Sequence, residues 1–515
     1  MGVACGNSTG FAGAESHLVA LPSGAVVYTP AVLPDGLLGT GTAPVPIGND
    51  TQSNASPAGQ AITRDDGRSW SFVRPSEVTW NPTDHGDYAD PVTGRLFFAD
   101  YGPIPLVPAF GPDQEGPAHI NVSADEGRTW KRSVIRTVFL PENPRFTSAP
   151  APAGQPKPVG YPNVVYFCAN SNIGFTSPLI TSRRCWRSLD GGISFVERGT
   201  ILRGVPPVHP ECGRAQEDYS AIDGSYPQPM RDGSLLLMVA CGGKTYLARS
   251  TDEALTFPIL KGPDGSPVTL PLPAGQPGLN LGSSDLRVGP DDTLYLVNQQ
   301  AVGAKETLLL RVSRDAGRTW SAAQDLLAPG LNGVLHWAME QRDDQVAVAY
   351  LSHRSGPTWD GWITSARGVP AALKATRRPV LVSGQVNDPK RPLLYADEVR
   401  GAGTFQLPGG LGNQVSFPPP FSIQVFGNDF IGAAITPRGE AWGSFTQDCG
   451  PDPEAAQCKA QKGQTRGYAG HLEAEGVSPP VPLERQLPRT GGAAPLLALA
   501  LLGGCLLVRH RRRRC

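Results

Sequence analysis

The chain has 515 residues, and its 45 Lys and Arg residues nearly balance its 46 Asp and Glu residues, giving a formal net charge of -1. This balance argues against a nucleic-acid binder, because such proteins need a basic surface. The 61 Gly and 52 Pro residues and a charged fraction of only 18% favour short strands joined by turns, and they exclude long solvated helices and coiled coils.

The first 16 residues carry no clear strand pattern. They contain neither the basic region nor the apolar run of an export signal. We therefore expect residues 1–16 to be an unstructured or truncated N-terminus, ahead of a folded domain that covers residues 17–475.

Five octets with one pattern follow at nearly constant spacing. Each reads Ser or Thr, any residue, Asp, any residue, Gly, any residue, Ser or Thr, and an aromatic residue. The copies are TRDDGRSW 63–70, SADEGRTW 123–130, SLDGGISF 188–195, STDEALTF 250–257 and SRDAGRTW 313–320. Their aspartates, Asp65, Asp125, Asp190, Asp252 and Asp315, lie 60, 65, 62 and 63 residues apart. An internal repeat of this period predicts one structural unit per copy.

Each residue type of the octet has a structural task. The carboxylate accepts hydrogen bonds across a tight turn, Gly supplies a positive φ, and the aromatic ring packs between sheets. Alternating apolar residues flank the octets, as in GRLFF 94–98 and TLYLV 293–297, so each octet is predicted to lie in a hairpin between strands. We interpret the five aspartates as structural. Ala254, at the Gly position of the fourth copy, predicts a degenerate turn.

These octets resemble the Asp-box, also called the BNR repeat, of sialidases and related β-propellers. The resemblance implies an all-β fold, a β-propeller of six or seven four-stranded blades. Two further strand clusters without boxes, around 345–364 and 429–472, favour seven blades, whereas the likeness to sialidases favours six. The stretch 372–420, with PGGLGN and FPPPF, is predicted to be an irregular insertion.

Candidate site residues lie just before or within the first strand of each unit. In a four-stranded antiparallel blade, the boxes fall at the end opposite to the connection that enters the next blade. The candidate catalytic residues are Asp84, Asp87, Tyr88, Glu217, Asp218 and Tyr219, and the candidate ligand-binding residues are His85, Asp285, Trp337, Glu340 and Trp359. Converging carboxylates raise one another's pKa and so furnish a general acid. The alternatives are cation binding and simple pairing with strand amides.

The sialidase resemblance implies further roles, with one departure. Sialidases bind the substrate carboxylate with three arginines, use a Tyr with a Glu partner as nucleophile and an Asp as acid/base, and carry a Phe/Tyr-Arg-Ile-Pro motif, which is absent here. The implied nucleophiles are Tyr88 or Tyr219, and the implied acids are Asp84 or Asp87. The arginines near the matching positions are Arg214, Arg287 and Arg342.

Six of the nine cysteines form three close sequence pairs, which predict disulfides of an extracellular protein. The pairs are Cys168 with Cys185, Cys212 with Cys241, and Cys449 with Cys458. Zinc binding is the competing interpretation, but no CxxC spacing occurs. We expect no required cofactor, and we leave a calcium ion open.

The C-terminus has three parts: LPRTG 487–491, an apolar run at 493–508 and the basic end RHRRRRC. This tail resembles the sorting signal of Gram-positive surface proteins, with a Pro-containing linker at 476–486 before it. The resemblance implies that a sortase recognises Leu487, Pro488, Thr490 and Gly491, attacks the Thr490 carbonyl and joins the chain to peptidoglycan. The apolar run is a transmembrane segment that holds the chain before sorting. Export implies a true start upstream of residue 1.

Two functions from different classes are consistent with these patterns. The first is a wall-anchored, sialidase-like β-propeller that engages glycans and acts as an exo-α-sialidase or another glycoside hydrolase. The second is a non-catalytic adhesin or binding module for a carbohydrate or protein on a cell surface. Both place the protein at the cell wall of a Gram-positive bacterium, with no nucleic-acid partner.

Overall fold

The computed structural model describes residues 4–9, 14–31, 60–73, 86–101, 115–138, 141–172, 181–202, 226–241, 244–272, 284–303, 305–334, 336–354, 359–368, 374–386, 404–406, 414–416, 431–447 and 466–473. Throughout these ranges the regular structure is β-strand, and they contain no helix. The all-β prediction is confirmed. The predicted C-terminal helix lies outside the described residues.

The strands form seven antiparallel sheets of three or four strands and one separate hairpin. In chain order the strands are β1 Ala4–Ser8, β2 Ala14–Ala20, β3 Val26–Ala31, β4 Gln60–Thr63, β5 Ser71–Val73, β6 Gly86–Ala89, β7 Leu96–Tyr101, β8 Glu115–Ser123, β9 Lys131–Val138, β10 Pro141–Ala149, β11 Val164–Asn172, β12 Thr181–Ser188, β13 Val196–Leu202, β14 Gln228–Pro229 and β15 Leu235–Cys241. They continue as β16 Lys244–Ser250, β17 Ser284–Val288, β18 Leu294–Val302, β19 Lys305–Ser313, β20 Gln324–Asp325, β21 Trp337–Arg342, β22 Gln345–Ser352, β23 Trp359–Arg367, β24 Lys374–Val386, β25 Thr404–Gln406, β26 Gln414–Ser416, β27 Gly432–Ile435, β28 Ala441–Gln447 and β29 Arg466–Leu472.

Strand order within six of the sheets follows the chain. Sheet 1 is β2-β3-β4-β5, sheet 2 is β6-β7-β8-β9, sheet 3 is β10-β11-β12-β13, sheet 4 is β14-β15-β16, sheet 5 is β17-β18-β19-β20 and sheet 6 is β21-β22-β23-β24. Sheet 7 is β27-β28-β29-β1, so its outermost strand comes from the other end of the chain. The hairpin β25-β26 and the long strand β24 occupy part of the segment predicted to be an irregular insertion.

The N-terminal strand corrects one expectation. Residues 4–8, expected to be unstructured, pair antiparallel with β29 from Ala4↔Leu472 to Ser8↔Tyr468. Thr9 continues the contact, since its amide donates to the Gly467 carbonyl at 3.0 Å. Pairing through backbone groups needs no hydrophobic alternation, and this explains why the sequence pattern did not reveal the strand.

Within the described residues, neighbouring sheets follow one another around a common axis. The first strands contact one another in a closed cycle, which runs β2, β6, β10, β14, β17, β21, β27 and back to β2. Apolar clusters fill the interfaces between neighbouring sheets; one of them joins Leu18 and Tyr28 of sheet 1 to Ala434, Trp442 and Ala469 of sheet 7. A cycle of antiparallel sheets packed face to face is the architecture of a β-propeller.

The five octets form the same turn, which begins at the end of the third strand in each of sheets 1 to 5. The first hydroxyl donates to the Asp Oδ1 at 2.7–2.9 Å and accepts from the amide of the Gly position at 2.7–2.9 Å. The second Ser or Thr donates its amide to Oδ1 at 2.8–3.0 Å and its hydroxyl to Oδ2 at 2.6–2.7 Å. All four bonds are local, so the octet specifies the turn by itself.

The fourth octet differs in sequence and not in geometry. Ala254 adopts a φ of 63° and keeps the amide bond to the Ser250 hydroxyl at 2.9 Å. The degenerate turn expected there does not occur. Its methyl group is fully buried in the cluster that includes Tyr166 and Phe257, and this packing offsets the strain of a left-handed Ala.

The box carboxylates also predict an acid sensitivity. Burial by itself would raise the pKa of Asp315, but bonds from Thr319 and Ser313 lower it to about 2. A lowered pKa contributes stability above the unfolded value and loses it as pH falls towards 2. We expect Asp315→Ala to lower the free energy of unfolding by about 1 kcal/mol at pH 7, because charged hydrogen bonds are lost but water already screens this partly exposed carboxylate. Denaturant titrations should show this difference shrinking below about pH 4; a constant difference from pH 7 to pH 2 would contradict the assignment.

Ion pairs at the box end link neighbouring sheets. Glu126 of the second box pairs with Arg64 of the first at 3.1 Å, on the surface. Glu253 of the fourth box has no exposed side-chain surface and pairs with Arg187 and, at 3.8 Å, with Arg198, both in sheet 3. The residue after the box aspartate therefore faces the preceding sheet. The two ion pairs differ in burial: the Arg64–Glu126 pair is exposed to solvent, and the Glu253 carboxylate is buried.

One predicted disulfide lies within the described residues. Cys168 and Cys185 are opposite each other in β11 and β12 and form a disulfide, with both side chains buried. The side chain of Cys241 and the residues Cys212, Cys449 and Cys458 lie outside the described part of the chain.

Candidate functional site

The polar side chains of interest lie on the first strands, which line the axis. In every sheet the turn from the first to the second strand lies at the box end, because strands alternate in direction. The first strands therefore enter from the opposite end. Five of the seven described sheets, together with Tyr226 just before the first strand of sheet 4, contribute an ionisable side chain to one group, here called the axial cluster. Its members are His17, Asp87, Arg145, Tyr226, Asp285, Arg287 and Glu340.

Sheets 5 and 6 provide an arginine whose charge acts on two carboxylates. The Arg287 guanidinium donates to Asp285 Oδ1 at 2.5 Å and to the Met339 carbonyl at 3.0 Å. Burial raises the pKa of Asp285 to about 6; Arg287 opposes this rise and the charge of Glu340 adds to it. Burial also raises the pKa of Glu340, against the charges of Arg287 and Arg342. These carboxyl groups therefore bind protons more readily than exposed ones do.

Arg145 connects the two sides of the cluster. Its charge lowers the pKa of both Asp87 and Asp285, which belong to sheets 2 and 5. The guanidinium carbon lies 4.3 Å from the centre of the Tyr226 ring, two residues before β14. The guanidinium of Arg183, which is fully buried, lies 5.4 Å from the same centre. Both distances are within the range of cation–π attraction.

Sheets 1 and 2 contribute a hydrogen-bonded chain. Gln60 donates to the Thr29 hydroxyl at 3.1 Å, and that hydroxyl donates to Asp87 Oδ2 at 2.8 Å. The other carboxylate oxygen lies 3.5 Å from His17 Nδ1. Burial raises the pKa of Asp87 to about 6, although Thr29 and Arg145 both act to lower it.

Two predicted site residues lie away from the axis. Tyr88 follows Asp87 directly, so its side chain points to the opposite face of the sheet, where its hydroxyl shares a hydrogen bond of 2.9 Å with Ser148 and its ring packs beside Phe97. Trp337 is buried in the cluster between sheets 5 and 6. These side chains are core residues in this structure, so neither the nucleophile role implied for Tyr88 nor the ligand contact predicted for Trp337 fits their position.

Asp87, Asp285, Arg287 and Glu340 are the predicted residues that the fold brings into the axial cluster. Other predictions remain predictions, because Asp84, His85, Glu217, Asp218, Tyr219 and the side chain of Trp359 lie outside the described residues. So does Arg214.

The sequence patterns missed three members of the cluster. His17, Arg145 and Tyr226 are on or just before first strands, at the position that the acidic candidates occupy. A search for any ionisable residue at that position, and not for acids alone, would have found them. Arg183 lies on β12, the third strand of sheet 3, and no sequence pattern marked it as a site residue.

Two negative findings concern the described part of the chain only. No group of three or more His, Cys, Asp or Glu side chains there is placed to hold a metal ion. No helix there is long and apolar enough to cross a membrane. The segment 493–508 and the LPRTG motif lie outside those residues.

The chain is similar to several solved structures. No protein-family model matches the chain, and no curated protein matches it. Among solved structures, similarity is found to the Hadza microbial sialidase Hz136, at 14% identity over 68% of this chain and 66% of that chain, with a TM-score of 0.39. The NanB sialidase of Streptococcus pneumoniae gives 10% identity over 88% and 84%, with a TM-score of 0.37. The Aleuria aurantia lectin gives 8% over 73% and 99%, with a TM-score of 0.38. At these identities and TM-scores, the activities and ligands of these proteins are not assigned to this chain.

Proposed function

We propose that the chain is a surface-exposed β-propeller that engages a glycan at the axial cluster and hydrolyses a glycosidic bond there, as an exo-α-sialidase or a related glycoside hydrolase. The observation that carries the proposal is the convergence on one axis of ionisable groups from five sheets and of Tyr226 just before a sixth. A fold rarely gathers buried charges from so many strands without a ligand, because each charge costs desolvation energy.

The chemistry of the cluster suits an acidic sugar. Arg145 and Arg287 provide two guanidinium groups for a carboxylate, and guanidinium binds carboxylate in a planar, bidentate geometry. Asp285, whose pKa burial raises to about 6, is a carboxyl group suited to hold a proton in weakly acidic solution, and burial raises the pKa of Glu340 as well. Glycoside hydrolysis generally uses a pair of carboxyl groups of this kind.

We also propose that the seven sheets are seven blades of one closed propeller. The cycle of first-strand contacts and the pairing of β1 with β29 support this count. Closure by the N-terminal strand would bury a sheet edge that is otherwise open for pairing with other chains.

The test of function is a panel of fluorogenic glycosides that includes an α-sialoside, combined with a glycan array. We expect the wild-type chain to cleave the sialoside and Glu340→Gln to lose at least 90% of that activity while it keeps the wild-type melting temperature. Glu306→Gln is the control, because Glu306 is on β19 of sheet 5, outside the axial cluster. The absence of turnover on every glycoside would remove the hydrolase proposal.

A non-catalytic adhesin is the second candidate, and one contact favours it. Arg287 is held by Asp285 and the Met339 carbonyl, so its guanidinium is preorganised to bind an anionic ligand whether or not a bond is then broken. Array binding that Glu340→Gln leaves intact, together with no turnover, would identify a binding module.

The C-terminal sorting signal remains part of the proposal. Transfer of Thr490 to peptidoglycan by a sortase would place the protein on the cell wall of a Gram-positive bacterium, and no cofactor is required by the proposed chemistry. We expect a purified sortase with a triglycine acceptor to release residues 491–515, detected as a mass loss on the intact chain. Pro488→Ala should prevent the release; equal release from both chains would contradict the assignment.

A further inference from the structure

The sixth position of the Asp-box octet differs between neighbouring boxes. It is Arg in the first, second and fifth boxes and apolar in the third and fourth, and in chain order the five residues are Arg68, Arg128, Ile193, Leu255 and Arg318. The side chain at this position is exposed in all five boxes, and an exposed position favours a charged residue. The turn itself does not need Ile193 or Leu255, because its hydrogen bonds come from other positions of the octet.

Three further exposed apolar side chains lie at the box end of the same part of the molecule. Val92 is in the turn between β6 and β7, Val159 is in the loop between β10 and β11, and Val196 is the first residue of β13. Together with Ile193 and Leu255 they form an area here called the box-face patch. Their exposed fractions range from 45% to 77%.

Hydrogen bonds between loops hold the sheet 2 and sheet 3 parts of the patch together. The Val159 amide donates to the Leu189 carbonyl of the third box at 2.7 Å. Tyr161, in the same loop as Val159, donates its hydroxyl to Asp90 at 2.8 Å, in the turn that carries Val92. The loop between β10 and β11 therefore joins the third box to the β6–β7 turn.

The patch continues from sheet 3 to sheet 4. Arg198, two residues after Val196, donates to the carbonyls of Asp252 and Glu253 in the fourth box at 2.9 and 3.2 Å. Leu255 follows in the same box. Single exposed apolar residues are ordinary on a protein surface, whereas a contiguous group that spans three sheets marks an interaction site.

We propose that the box-face patch is the contact surface between two copies of this chain, related by a twofold axis. The size of the area fits this partner. Sheets that pack face to face lie about 10 Å apart, so a face that spans three of them has room for the roughly 800 Å² that each partner contributes to a stable interface.

The charges at the rim of the patch fit a second copy as well. Lys157 is exposed two residues before Val159. Glu197, next to Val196, lies 3.7 Å from Arg184 and its side chain stays 44% exposed. In a twofold contact, a group on one copy meets a different group on the other, and the reverse contact forms at the same time. Rim charges of opposite sign on one patch therefore complement the same patch on a second copy.

Sedimentation equilibrium of the full chain tests the proposal. We expect the wild type to dimerise with a dissociation constant in the micromolar range or below, as interfaces of this size do. Ile193→Arg and Leu255→Arg should each raise that constant at least about tenfold, because each places a charge in the apolar centre of the contact. Both variants should keep the wild-type melting temperature, since three other boxes carry Arg at this position.

Val302→Arg is the matched control for these variants. Val302 is also an exposed apolar residue, but it ends β18, at the end of sheet 5 opposite to the boxes. We expect it to change the dimer dissociation constant less than about twofold. A wild-type chain that stays monomeric at micromolar concentrations, or a dimer that Ile193→Arg and Leu255→Arg leave intact, would overturn the proposal.

Hydrogen exchange of the full chain locates the contact. We expect the amides of residues 150–163 and 188–196 to exchange more slowly as the protein concentration rises, and those of the fifth box, 313–320, to stay unchanged. Slow exchange that is independent of concentration and is lost on removal of residues 491–515 would assign the patch to the chain's own C-terminal segment and overturn the second copy. None of these results bears on the proposed function, because no residue of the patch belongs to the axial cluster.

Discussion

Replacing Arg187 by Met should lower the free energy of unfolding by roughly 3 kcal/mol, because it leaves the Glu253 carboxylate buried with one remaining partner. Glu253 has no exposed side-chain surface, and its pairs with Arg187 and Arg198 join the fourth box to sheet 3. Arg198 stays 3.8 Å away and limits the loss. Removing both arginines should cost more than either change alone. Urea titration of the full chain measures the difference.

Arg64→Met is the matched control for this prediction. Arg64 pairs with Glu126, which holds the same place in the second box that Glu253 holds in the fourth, but the Glu126 side chain is 25% exposed. A surface pair of this type contributes about 0–1 kcal/mol. If the two substitutions cost the same, burial is not what distinguishes the two pairs.

Arg287→Met should have the largest effect on the axial site. The substitution removes the guanidinium that bonds to Asp285 and whose charge acts on Glu340, and it removes the bond to the Met339 carbonyl. We expect at least a hundredfold loss in affinity or in kcat/KM for an acidic glycan, since truncating one partner of a buried charge pair costs about 2–5 kcal/mol. Arg287→Lys should recover part of the loss, because it restores the charge without the fork of donors.

Arg342→Met provides the comparison for the site. Arg342 is the last residue of β21, and its charge also lowers the pKa of Glu340. Arg287, in contrast, donates a hydrogen bond to the carboxylate of Asp285. We expect less than a threefold change in the same assays. Equal losses in both variants would mean that the net charge of the axis matters and that the Arg287 contacts do not.

The box turns were predictable because their interactions are local. Every hydrogen bond of the box at Asp125, for example, joins residues within four positions of each other. The same locality explains why Ala254 forms the turn despite the missing Gly: the hydroxyl and carboxylate bonds of Ser250, Asp252 and Thr256 are unchanged. The pairing of Cys168 with Cys185 also follows from short range, since both lie on adjacent strands of one sheet.

The axial site was only partly predictable, because the sequence does not show which residues of a strand point towards the axis and which point into the core. Asp87 and Tyr88 are neighbours in sequence, and both were reasonable candidates, but alternation sends one towards the axis and the other into the core. A shift of β6 by one residue would exchange the faces of Asp87 and Tyr88, and the sequence around β6 does not determine which of the two side chains faces the axis.

The sequence by itself determined the repeated units, their antiparallel strands and the turns that join them, because these depend on contacts a few residues long. Only the tertiary structure decided that β1 pairs with β29, that sheets 1 and 7 adjoin, and that His17, Arg145 and Tyr226 meet Asp285 at one axis. Such contacts join residues scores to hundreds of positions apart. They arise from the packing of whole sheets against one another, and no local pattern of residues encodes which side chains that packing brings together.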